Sequence, residues 1–380
     1  MTQFPVVLDL GSHTFKVGLA SEDAPSNIVL NRLAQNKNDT NSEIMIGDLI
    51  PVGNWNRYWR GLTRLIFPVQ SGMISEEKYL NAIMKHLFYN ELRVSPDESS
   101  LLMSECPAVS VEEMPSYRRK MINYLMEDLN LREVSFIPTS TLSAFAQGEL
   151  NAVVVEIGEE TNHVSSVVEG RTVSESMMRM NSISGLALSE HMSNISQVYA
   201  TQREIREYGI GEMKKDYMYV ALDYEKEMEQ FNSQAKLQTK SYDLPSSGPV
   251  EVPFTAEACK YTEALFNPNI IGIENGIGVH ECILQSIKKV NSDSVESKLY
   301  RSIILSGGST LLTGFDTRLR EEMIELIPDS KIRASPERGN LPWIGGSIIG
   351  SMSNFQEKCI TRDQFLEEGI DMILQKFQLL

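Results

Sequence analysis

Residues 6–20 read VVLDLGSHTFKVGLA, and this stretch contains the unit from which the fold of the chain follows. The apolar run that ends at Leu10 predicts a buried strand, and residues 15–20 alternate as the return strand of a hairpin would. Between them, Gly11 and its polar neighbours break the strand pattern. The stretch therefore predicts a strand, a glycine turn and a returning strand.

A second stretch repeats this organisation in the middle of the chain. Residues 152–168 read AVVVEIGEETNHVSSVV, with an acidic residue near the end of the apolar strand, Gly158 in the turn and an extended return. The two copies are separated by about the length of one domain, roughly 100–150 residues. An internal duplication of a hairpin is the economical interpretation.

The last third of the chain adds a third glycine turn. Residues 303–310 (IILSGGST) predict a strand that runs into a Gly-Gly turn and then a helix. Apolar residues recur at helical spacing in residues 79–88, and again at Leu319, Met323 and Leu326, which predicts two helices with these side chains buried in the core. Strands that alternate with helices predict an α/β fold, and a length of 380 residues predicts two lobes rather than one core.

The composition argues against several broad classes of function. A net charge of −16 disfavours extended binding to nucleic acid or to an acidic membrane surface. The four cysteines form no CxxC pair, so neither a zinc site nor a disulfide framework is indicated. No apolar run approaches the ~20 residues of a membrane span, and the first residues carry no basic leader pattern. We therefore expect a cytoplasmic protein, with the nucleus as the alternative compartment.

A glycine turn between two strands can bind phosphate, because its backbone N–H groups surround a concavity that suits phosphate oxygens. Ser12 can add a hydroxyl, Lys16 can reach a β-phosphate as a point charge, and Asp9 can hold Mg²⁺ through water. The alternative is a tight hairpin with a structural glycine. The repeated turn at Gly158 and the third turn at 307–308 favour phosphate binding, since two facing hairpins can clamp a triphosphate.

Several longer stretches resemble the actin family and occur in the family's order. They are residues 88–96 (FYNELRVSP), 219–223 (YVALD), 305–310 (LSGGST), 336–338 (PER) and 343–347 (WIGGS). Two more, residues 265–272 (LFNPNIIG) and 331–333 (KIR), are similar to centractin, an actin-related protein. The resemblance covers nearly the whole chain.

The resemblance implies an α/β, actin-like two-lobed fold, in which duplicated ribonuclease-H-like domains surround an adenine-nucleotide cleft. Each lobe would carry an insertion. The four expected subdomains comprise residues 1–30, 68–146 and 341–380 (subdomain 1), 31–67 (subdomain 2, with a shortened loop), 147–183 and 274–340 (subdomain 3), and 184–273 (subdomain 4). The cofactors that the resemblance implies are ATP or ADP, and Mg²⁺.

The same resemblance implies roles for individual residues. Those expected to bind the nucleotide are Gly11, Ser12, His13, Lys16, Gly158, Glu159, Thr161, Gly185, Lys214, Gly307, Gly308 and Ser309. Asp9 and Glu156 would hold Mg²⁺ through water. His163 is the one candidate for a catalytic role.

Some residues depart from the family's pattern in ways that bear on hydrolysis. His13 stands where actin has a second glycine in the first turn, and Glu156 stands where actin has an aspartate. Thr139 stands where actin has the glutamine that orients the attacking water, and threonine is too short for that contact. Glu160 replaces a glycine, so its carboxylate would repel a γ-phosphate in a desolvated cleft. We therefore expect a weak ATPase at best.

Other departures bear on assembly. The segment 31–67 lacks several residues of the loop that reaches the next subunit in an actin filament, and the polar residues 36–42 predict a mobile loop. Lys358 stands beside the groove that regulators of actin use. That groove keeps three apolar residues, Phe145, Ile349 and Met352. The apolar groove is kept as a contact surface, whereas the loop that contacts the next subunit is altered. This combination predicts a subunit of a hetero-assembly rather than a long homopolymer.

The preferred hypothesis is an actin-related structural subunit of a cytoskeletal or other multi-protein assembly, which binds ATP or ADP with weak or absent hydrolysis. The expected partners are actin, other actin-related proteins or a larger complex, without direct contact to nucleic acid or membrane. The alternatives are a dynamic filament former whose ATPase drives turnover, and a nuclear subunit of a chromatin-remodelling complex. A sugar or acetate kinase of the same superfold would leave the actin-like stretches unexplained.

Overall fold

The structure is a computed structural model, and it describes residues 4–38, 44–46, 63–109, 113–180, 183–195, 211, 213–233, 238–244 and 248–379. Two predictions fall largely outside the described residues. They are the shortened loop within residues 31–67 and the later part of the polar segment 36–42.

Two α/β halves follow one another along the chain. The strands up to residue 146 are β1 (Val6–Leu10), β2 (Thr14–Leu19), β3 (Asn27–Leu30), β4 (Leu33–Asn36), β5 (Met45–Ile46), β6 (Thr63–Ile66), β7 (Val69–Gln70), β8 (Met73–Ile74), β9 (Ser100–Glu105) and β10 (Glu133–Pro138). The helices of this half are α1 (Glu77–Lys85), α2 (Met114–Asn123) and α3 (Thr139–Ala146). Helices α1 and α2 continue as π-helical segments, His86–Leu92 and Tyr124–Asp128.

The second half is built in the same alternating way, and the last elements return to the first half. Its strands are β11 (Ala152–Ile157), β12 (Asn162–Val168), β13 (Arg171–Thr172), β14 (Met178–Arg179), β15 (Gln238–Leu244), β16 (Gly248–Phe254), β17 (Ile303–Ser306) and β18 (Ile332–Arg333). Its helices are α4 (Gly185–Ile195), α5 (Tyr224–Ser233), α6 (Glu257–Glu263), α7 (Val279–Val290), α8 (Asp293–Tyr300) and α9 (Phe315–Leu326). The returning elements are α10 (Leu341–Gly350), β19 (Ile360–Thr361), α11 (Arg362–Glu368) and α12 (Ile370–Leu379). Short 3₁₀ turns occur at Pro96–Glu98, Ser174–Ser176, Pro268–Ile271, Gly308–Leu311 and Phe355–Lys358.

Each half has one main sheet, and the two sheets share a design. The strand order is β19-β10-β9-β1-β2-β3 in the first sheet and β13-β12-β11-β17-β18 in the second, where β14 also pairs with β12. Strand β1 pairs antiparallel with β2 and parallel with β9. Strand β11 likewise pairs antiparallel with β12 and parallel with β17. The two predicted hairpins therefore hold equivalent places, and the predicted α/β architecture of both halves is confirmed.

Most of the predicted helix faces are buried, as amphipathic helices on a sheet require. The apolar stripe of α1 and its π-helical continuation is buried, and it consists of Tyr79, Leu80, Ile83, Met84, Leu87 and Phe88. In α9, Leu319 and Met323 are buried as predicted. The prediction for Leu326 is wrong, because this side chain is 45% exposed. It is the last residue of α9, beyond the turns that pack on the core.

Helices α3 and α10 join the two halves. Leu142 and Trp343 pack on the first sheet, whereas Ala144 and Leu341 pack on the second. A methyl group at Gly345 would lie 1.8 Å from the carbonyl oxygen of Leu142. Only glycine therefore allows the two helices to approach this closely, which explains a glycine in the WIGGS stretch.

Hydroxyl groups add polar contacts at the same junction. The hydroxyl oxygens of Ser140 and Thr141 each lie 2.8 Å from Thr172 Oγ1, on strand β13. Ser143 Oγ lies 3.1 Å from Oγ of Ser306, the last residue of β17. Helix α3 thus links the first half to the strand that leads into the third glycine turn.

Candidate nucleotide-binding site

The first glycine turn is held by backbone hydrogen bonds and by one asparagine. The N–H of Gly11 donates to the carbonyl of Thr14 at 3.1 Å. Asn31 donates its side-chain amide to the Ser12 carbonyl at 2.7 Å and its backbone N–H to the His13 carbonyl at 2.9 Å. The turn therefore has a defined conformation, with two of its carbonyl groups engaged by Asn31.

Asp9 and Lys16 form an ion pair at the end of this hairpin. They oppose each other directly in the β1–β2 register, and Lys16 Nζ lies 2.9 Å from Asp9 Oδ2. The second carboxylate oxygen of Asp9 accepts a hydrogen bond from Ser104 Oγ at 2.6 Å. The Lys16 and Asp9 side chains are only 13% and 8% exposed, so they present a cation and a carboxylate at a defined place.

Glu156 and His163 occupy the same register in the second hairpin. The distance from His163 Nε2 to Glu156 Oε2 is 3.9 Å, too long for a direct hydrogen bond. Within the described part of the chain, Glu156 Oε2, both His163 ring nitrogens and Thr139 Oγ1 are buried without a hydrogen-bond partner. Buried polar atoms are normally satisfied by protein, water or a ligand. The three side chains therefore suit a hydrated ion or an ordered water.

Burial sets the protonation of this group. It raises the pKa of Glu156 to about 7, an effect that the nearby Thr139 hydroxyl opposes and the charge of Asp9 reinforces. Desolvation lowers the pKa of His163 to about 4, so its ring is neutral at pH 7. A cation beside Glu156 would favour its ionised form.

The second glycine turn is tied to helix α4 and to the third turn. The carbonyl of Gly158 accepts hydrogen bonds from Gly185 N at 2.9 Å and from Ser309 Oγ at 3.1 Å. The carbonyl of Glu159 accepts one from Leu186 N at 2.7 Å. Three predicted site residues, Gly158, Gly185 and Ser309, are therefore brought together.

Lys214 reaches the same place from a distant part of the sequence. Its Nζ donates to the Gly185 carbonyl at 2.8 Å and to Ser189 Oγ at 2.9 Å, and it lies 3.5 Å from Glu159 Oε2. A methyl group at Gly185 would lie 2.4 Å from that carboxylate oxygen. Glycine thus makes room for the Glu159–Lys214 ion pair.

The third glycine turn packs on the end of β11. Gly307 has φ +88°, and a methyl group there would lie 2.4 Å from the Ile157 carbonyl oxygen. Its N–H donates to the carbonyl of Arg338 at 2.9 Å. A methyl group at Gly308 would meet no atom of the described residues within 4 Å. Gly307 is therefore structural, whereas Gly308 borders space that a ligand can approach.

Thr161 and Glu160 lie at the far side of the second turn. The carbonyl of Thr161 accepts a hydrogen bond from Gly158 N at 2.9 Å, and its hydroxyl lies beside the thiol of Cys106. Glu160 Oε2 accepts a hydrogen bond from the N–H of Ser71 at 2.8 Å, in the first half of the chain. This bond offsets part of the negative charge that we expected to oppose a γ-phosphate.

Two similar α/β halves, each with a glycine-turn hairpin at the equivalent place in its sheet, are typical of two-lobed proteins. A family model described as Actin matches residues 2–205 and 196–378. The chain therefore belongs to the actin family, and its fold is actin-like. Members of this family generally bind ATP or ADP with Mg²⁺. The ion pair at Lys16 and the unsatisfied polar atoms around Glu156 fit such a ligand.

Three residues at this site were not predicted from the sequence. Asn31 holds the first turn, Ser104 bonds to Asp9, and Ser71 bonds to Glu160. Each acts on a residue that is distant in sequence. The local signal at Ser104 is that this polar residue follows the apolar residues 101–103 of β9.

Proposed function

We propose that this chain is an actin-related structural subunit that binds ATP or ADP with Mg²⁺ between its two halves and hydrolyses ATP weakly or not at all. The observation that carries the proposal is the set of buried polar atoms of Thr139, Glu156 and His163 that have no hydrogen-bond partner among the described residues. These atoms have the polarity that a hydrated ion needs, and Glu156, whose pKa is about 7, is assigned to that ion.

The nucleotide would lie between the three glycine turns. The residues that we assign to it are Gly11, Ser12, His13, Lys16, Gly158, Glu159, Thr161, Gly185, Lys214, Gly307, Gly308 and Ser309. Asp9 and Glu156 would hold Mg²⁺ through water, and the ion would supply charge neutralisation to the phosphates when bound. Two glycine turns can offer backbone N–H groups from both sides. We propose the four-subdomain division set out above for the chain around this cleft.

Weak hydrolysis follows from the side chains that face a bound water. The Thr139 side chain is short, and its hydroxyl lies at the first residue of α3. His163 is neutral and, with a pKa of about 4, accepts a proton poorly. General-base catalysis by a well-matched group commonly contributes about 10²–10⁴-fold to a rate. Because Glu156 is assigned to Mg²⁺, the other side chains provide neither a long orienting amide nor a good base, and the site lacks most of that factor.

The outer surface supports a role in assembly. Three residues were expected to keep the groove apolar. Phe145 is half-buried and Met352 is exposed, but the prediction for Ile349 is wrong, because its side chain is buried. Ile349 packs with Trp343 in the core, and its neighbour Ile348 is 40% exposed instead. Lys358 is exposed, as expected. An apolar patch beside a cation suits a protein partner that carries a carboxylate.

The expected partners remain actin, another actin-related protein or a larger cytoskeletal complex, and we propose a cytoplasmic location. Among the described residues, no helix has the length and apolar character to cross a lipid bilayer. A dynamic filament former and a nuclear remodelling subunit are the alternatives, and neither is favoured by a particular contact.

Nucleotide binding can be tested on the purified full-length chain. Heat denaturation should release an adenine nucleotide, and Mg-ATP should raise the thermal midpoint, since a ligand at 100 times its Kd adds about 2.7 kcal/mol of stability. Lys16→Ala should lose this stabilisation. Lys78→Ala should keep it, because Lys78 pairs with Glu76 on the surface. A wild type that holds no nucleotide and gains no stability from Mg-ATP would contradict the proposal.

Hydrolysis and assembly need separate measurements. Single-turnover phosphate release should be slow, and polymerising salt should not accelerate it. Sedimentation and electron microscopy in Mg²⁺, ATP and potassium salt should show no long filaments of the chain alone. Rapid hydrolysis coupled to filament growth would instead favour the dynamic filament former. Purification from the native source should recover the chain with its protein partners.

A further inference from the structure

Asp9 stands between two other polar side chains at one level of the first sheet. Strand β1 lies between β2 and β9 in this sheet. Lys16 of β2 opposes Asp9 directly, and Ser104 of β9 follows Met103, which pairs with Leu8. Asp9 and Ser104 are both buried. The three polar side chains therefore form a row across three adjacent strands, at the end of β1 that leads into the first glycine turn.

The two oxygens of the Asp9 carboxylate have different partners. Oδ2 lies 2.9 Å from Lys16 Nζ, and Oδ1 accepts a hydrogen bond from Ser104 Oγ at 2.6 Å. Hydrogen bonds with a charged partner are roughly twice as strong as those between neutral groups. Because each oxygen is held from a different side, the carboxylate has a fixed orientation, with Oδ1 towards β9 and Oδ2 towards β2.

Nucleotide binding would change one of these partners and leave the other. Lys16 is assigned to a phosphate, so its charge would be shared between the phosphate and Asp9. Ser104 is not assigned to the nucleotide, and its strand lies inside the sheet, where Ser104 pairs with Ile137 of β10. The Ser104 hydroxyl would therefore keep its bond to Oδ1, while Oδ2 becomes available to a water molecule of the ion.

We propose that Ser104 is a positioning residue for Mg²⁺: its hydrogen bond keeps Asp9 oriented towards the hydrated ion once Lys16 binds the phosphate. The inference rests on the proposed binding of nucleotide with Mg²⁺ and names a residue on which that binding depends. Loss of a residue that orients a metal-binding group typically lowers metal affinity by about 10- to 100-fold. Asp9 would act through water, so we expect an effect of about tenfold, at the lower end of this range.

The increase in ADP affinity that Mg²⁺ provides measures this role. Isothermal titration calorimetry of the nucleotide-free, full-length chain gives the dissociation constant of ADP in EDTA and in Mg²⁺, and their ratio is the Mg²⁺ gain. The Mg²⁺ gain of Ser104→Ala should be about tenfold smaller than that of the wild type. The affinity for ADP in EDTA should be similar in the two proteins, because Ser104 does not contact the nucleotide. Binding of Mg²⁺ to free ADP is common to both and cancels.

Ser100 offers a matched control on the same strand. It is also buried, and its hydroxyl also donates to a carboxylate, Oε1 of Glu133. Ser100 is the first residue of β9, however, whereas Ser104 lies near the end of the strand. Ser100→Ala should therefore keep the Mg²⁺ gain of the wild type. Urea denaturation of the nucleotide-free proteins measures the stability that each substitution costs, so a general loss of stability can be separated from a loss of the gain.

A double-mutant cycle tests whether Ser104 acts through Asp9. Asp9→Asn removes the charge that Ser104 would orient, so adding Ser104→Ala to Asp9→Asn should leave the Mg²⁺ gain unchanged. Ser104→Thr, which keeps a hydroxyl group, should restore most of the gain. If Ser104→Ala does not fold, Ser104→Cys takes its place, since a thiol is a weaker donor than a hydroxyl, and part of the gain should be lost.

The outcomes distinguish the inference from the proposed function. A smaller gain in Ser104→Ala that Ser104→Thr restores, with an unchanged gain in Ser100→Ala, supports the role of Ser104. An equal gain in the wild type and Ser104→Ala, or an equal reduction in Ser100→Ala, would overturn that role while nucleotide binding stands. So would a further reduction when Ser104→Ala is added to Asp9→Asn. A wild type that binds no ADP in either buffer would overturn the proposed function and the inference together.

Discussion

The carboxylate of Glu160 accepts a hydrogen bond from the backbone N–H of Ser71 at 2.8 Å, and this bond joins the second glycine turn to the β7–β8 hairpin. Ser71 and Gly72 both have left-handed backbones, with φ of 49° and 82°. A methyl group at Gly72 would lie 2.8 Å from Cβ of Cys106, so the hairpin turn is closely packed. The N–H of Ser71 is therefore presented by a constrained turn, and the bond connects the two halves beside the candidate nucleotide site.

Removing the Glu160 carboxylate should loosen this connection. A partly exposed hydrogen bond contributes about 0.5–1.5 kcal/mol, so Glu160→Ala should accelerate amide exchange around Ser71 by roughly 2- to 10-fold. Release of a bound nucleotide should accelerate by a similar factor. Hydrogen exchange with mass spectrometry and a fluorescent-nucleotide chase measure the two effects. Glu175→Ala, an exposed glutamate of the same half, serves as the control. Unchanged exchange around Ser71 in Glu160→Ala would show that the bond does not hold the halves together.

The raised pKa of Glu156 should make the ligand-free protein less stable at alkaline pH. In the folded chain the pKa is about 7, above the ordinary 4.5, so the protonated carboxyl is the favoured form. The associated stability is present below about pH 4.5 and is lost as pH rises through 7, by on the order of 3 kcal/mol. Glu156→Gln should remove this loss.

Thermal unfolding at pH 5 and pH 8, without nucleotide or Mg²⁺, measures the effect. The thermal midpoint of the wild type should fall more between pH 5 and pH 8 than the midpoint of Glu156→Gln does. Glu175→Gln should behave like the wild type. If Mg²⁺ binds near Glu156, it should restore part of the stability of the wild type at pH 8, because the cation favours the ionised carboxylate.

His163 should have the opposite effect, in acid. Its folded pKa of about 4 lies below the ordinary 6.5, so stability is present above pH 6.5 and is lost as pH falls towards 4. His163→Gln, which carries no titrating ring, should shift the midpoint of acid unfolding to lower pH. Circular dichroism along a pH titration is a sufficient measurement. His280→Gln is the matched control, and an equal shift in both variants would remove the role assigned to the burial of His163.

The junction of α3 and α10 should tolerate no side chain at Gly345. A methyl group there would lie 1.8 Å from the Leu142 carbonyl, so Gly345→Ala should force the helices apart and cost about 3 kcal/mol. Gly339→Ala is a suitable control, since among the described residues its methyl group would meet only Leu311 Cδ1, at 3.7 Å. Urea denaturation of the wild type and both variants measures how much free energy of unfolding each substitution removes. Equal stability of the two would show that the junction relaxes at no cost.

Local sequence patterns were sufficient for the elements that carry the site. The apolar runs that end at Leu10 and Ile157 predicted buried strands, and Gly11 and Gly158 marked the turns. Both hairpins are present at those positions. The stripe of α1 was predicted for the same reason, because helical spacing is a property of neighbouring residues. The prediction that Leu326 is buried was wrong, because helical spacing does not show where a helix leaves the core.

The two glycine-turn hairpins, the alternation of strands and helices, and the resemblance that membership of the actin family confirms could all be predicted from the amino-acid sequence. These predictions follow from short-range hydrophobic periodicity and from stretches of sequence that resemble the actin family. The hydrogen bond between Glu160 and Ser71, the contact of Lys214 with Gly185, and the pKa shifts of Glu156 and His163 could not be predicted in this way. Hydrogen-bond partners and desolvation depend on atoms that folding brings close together, and a local pattern does not encode which distant residues those atoms belong to.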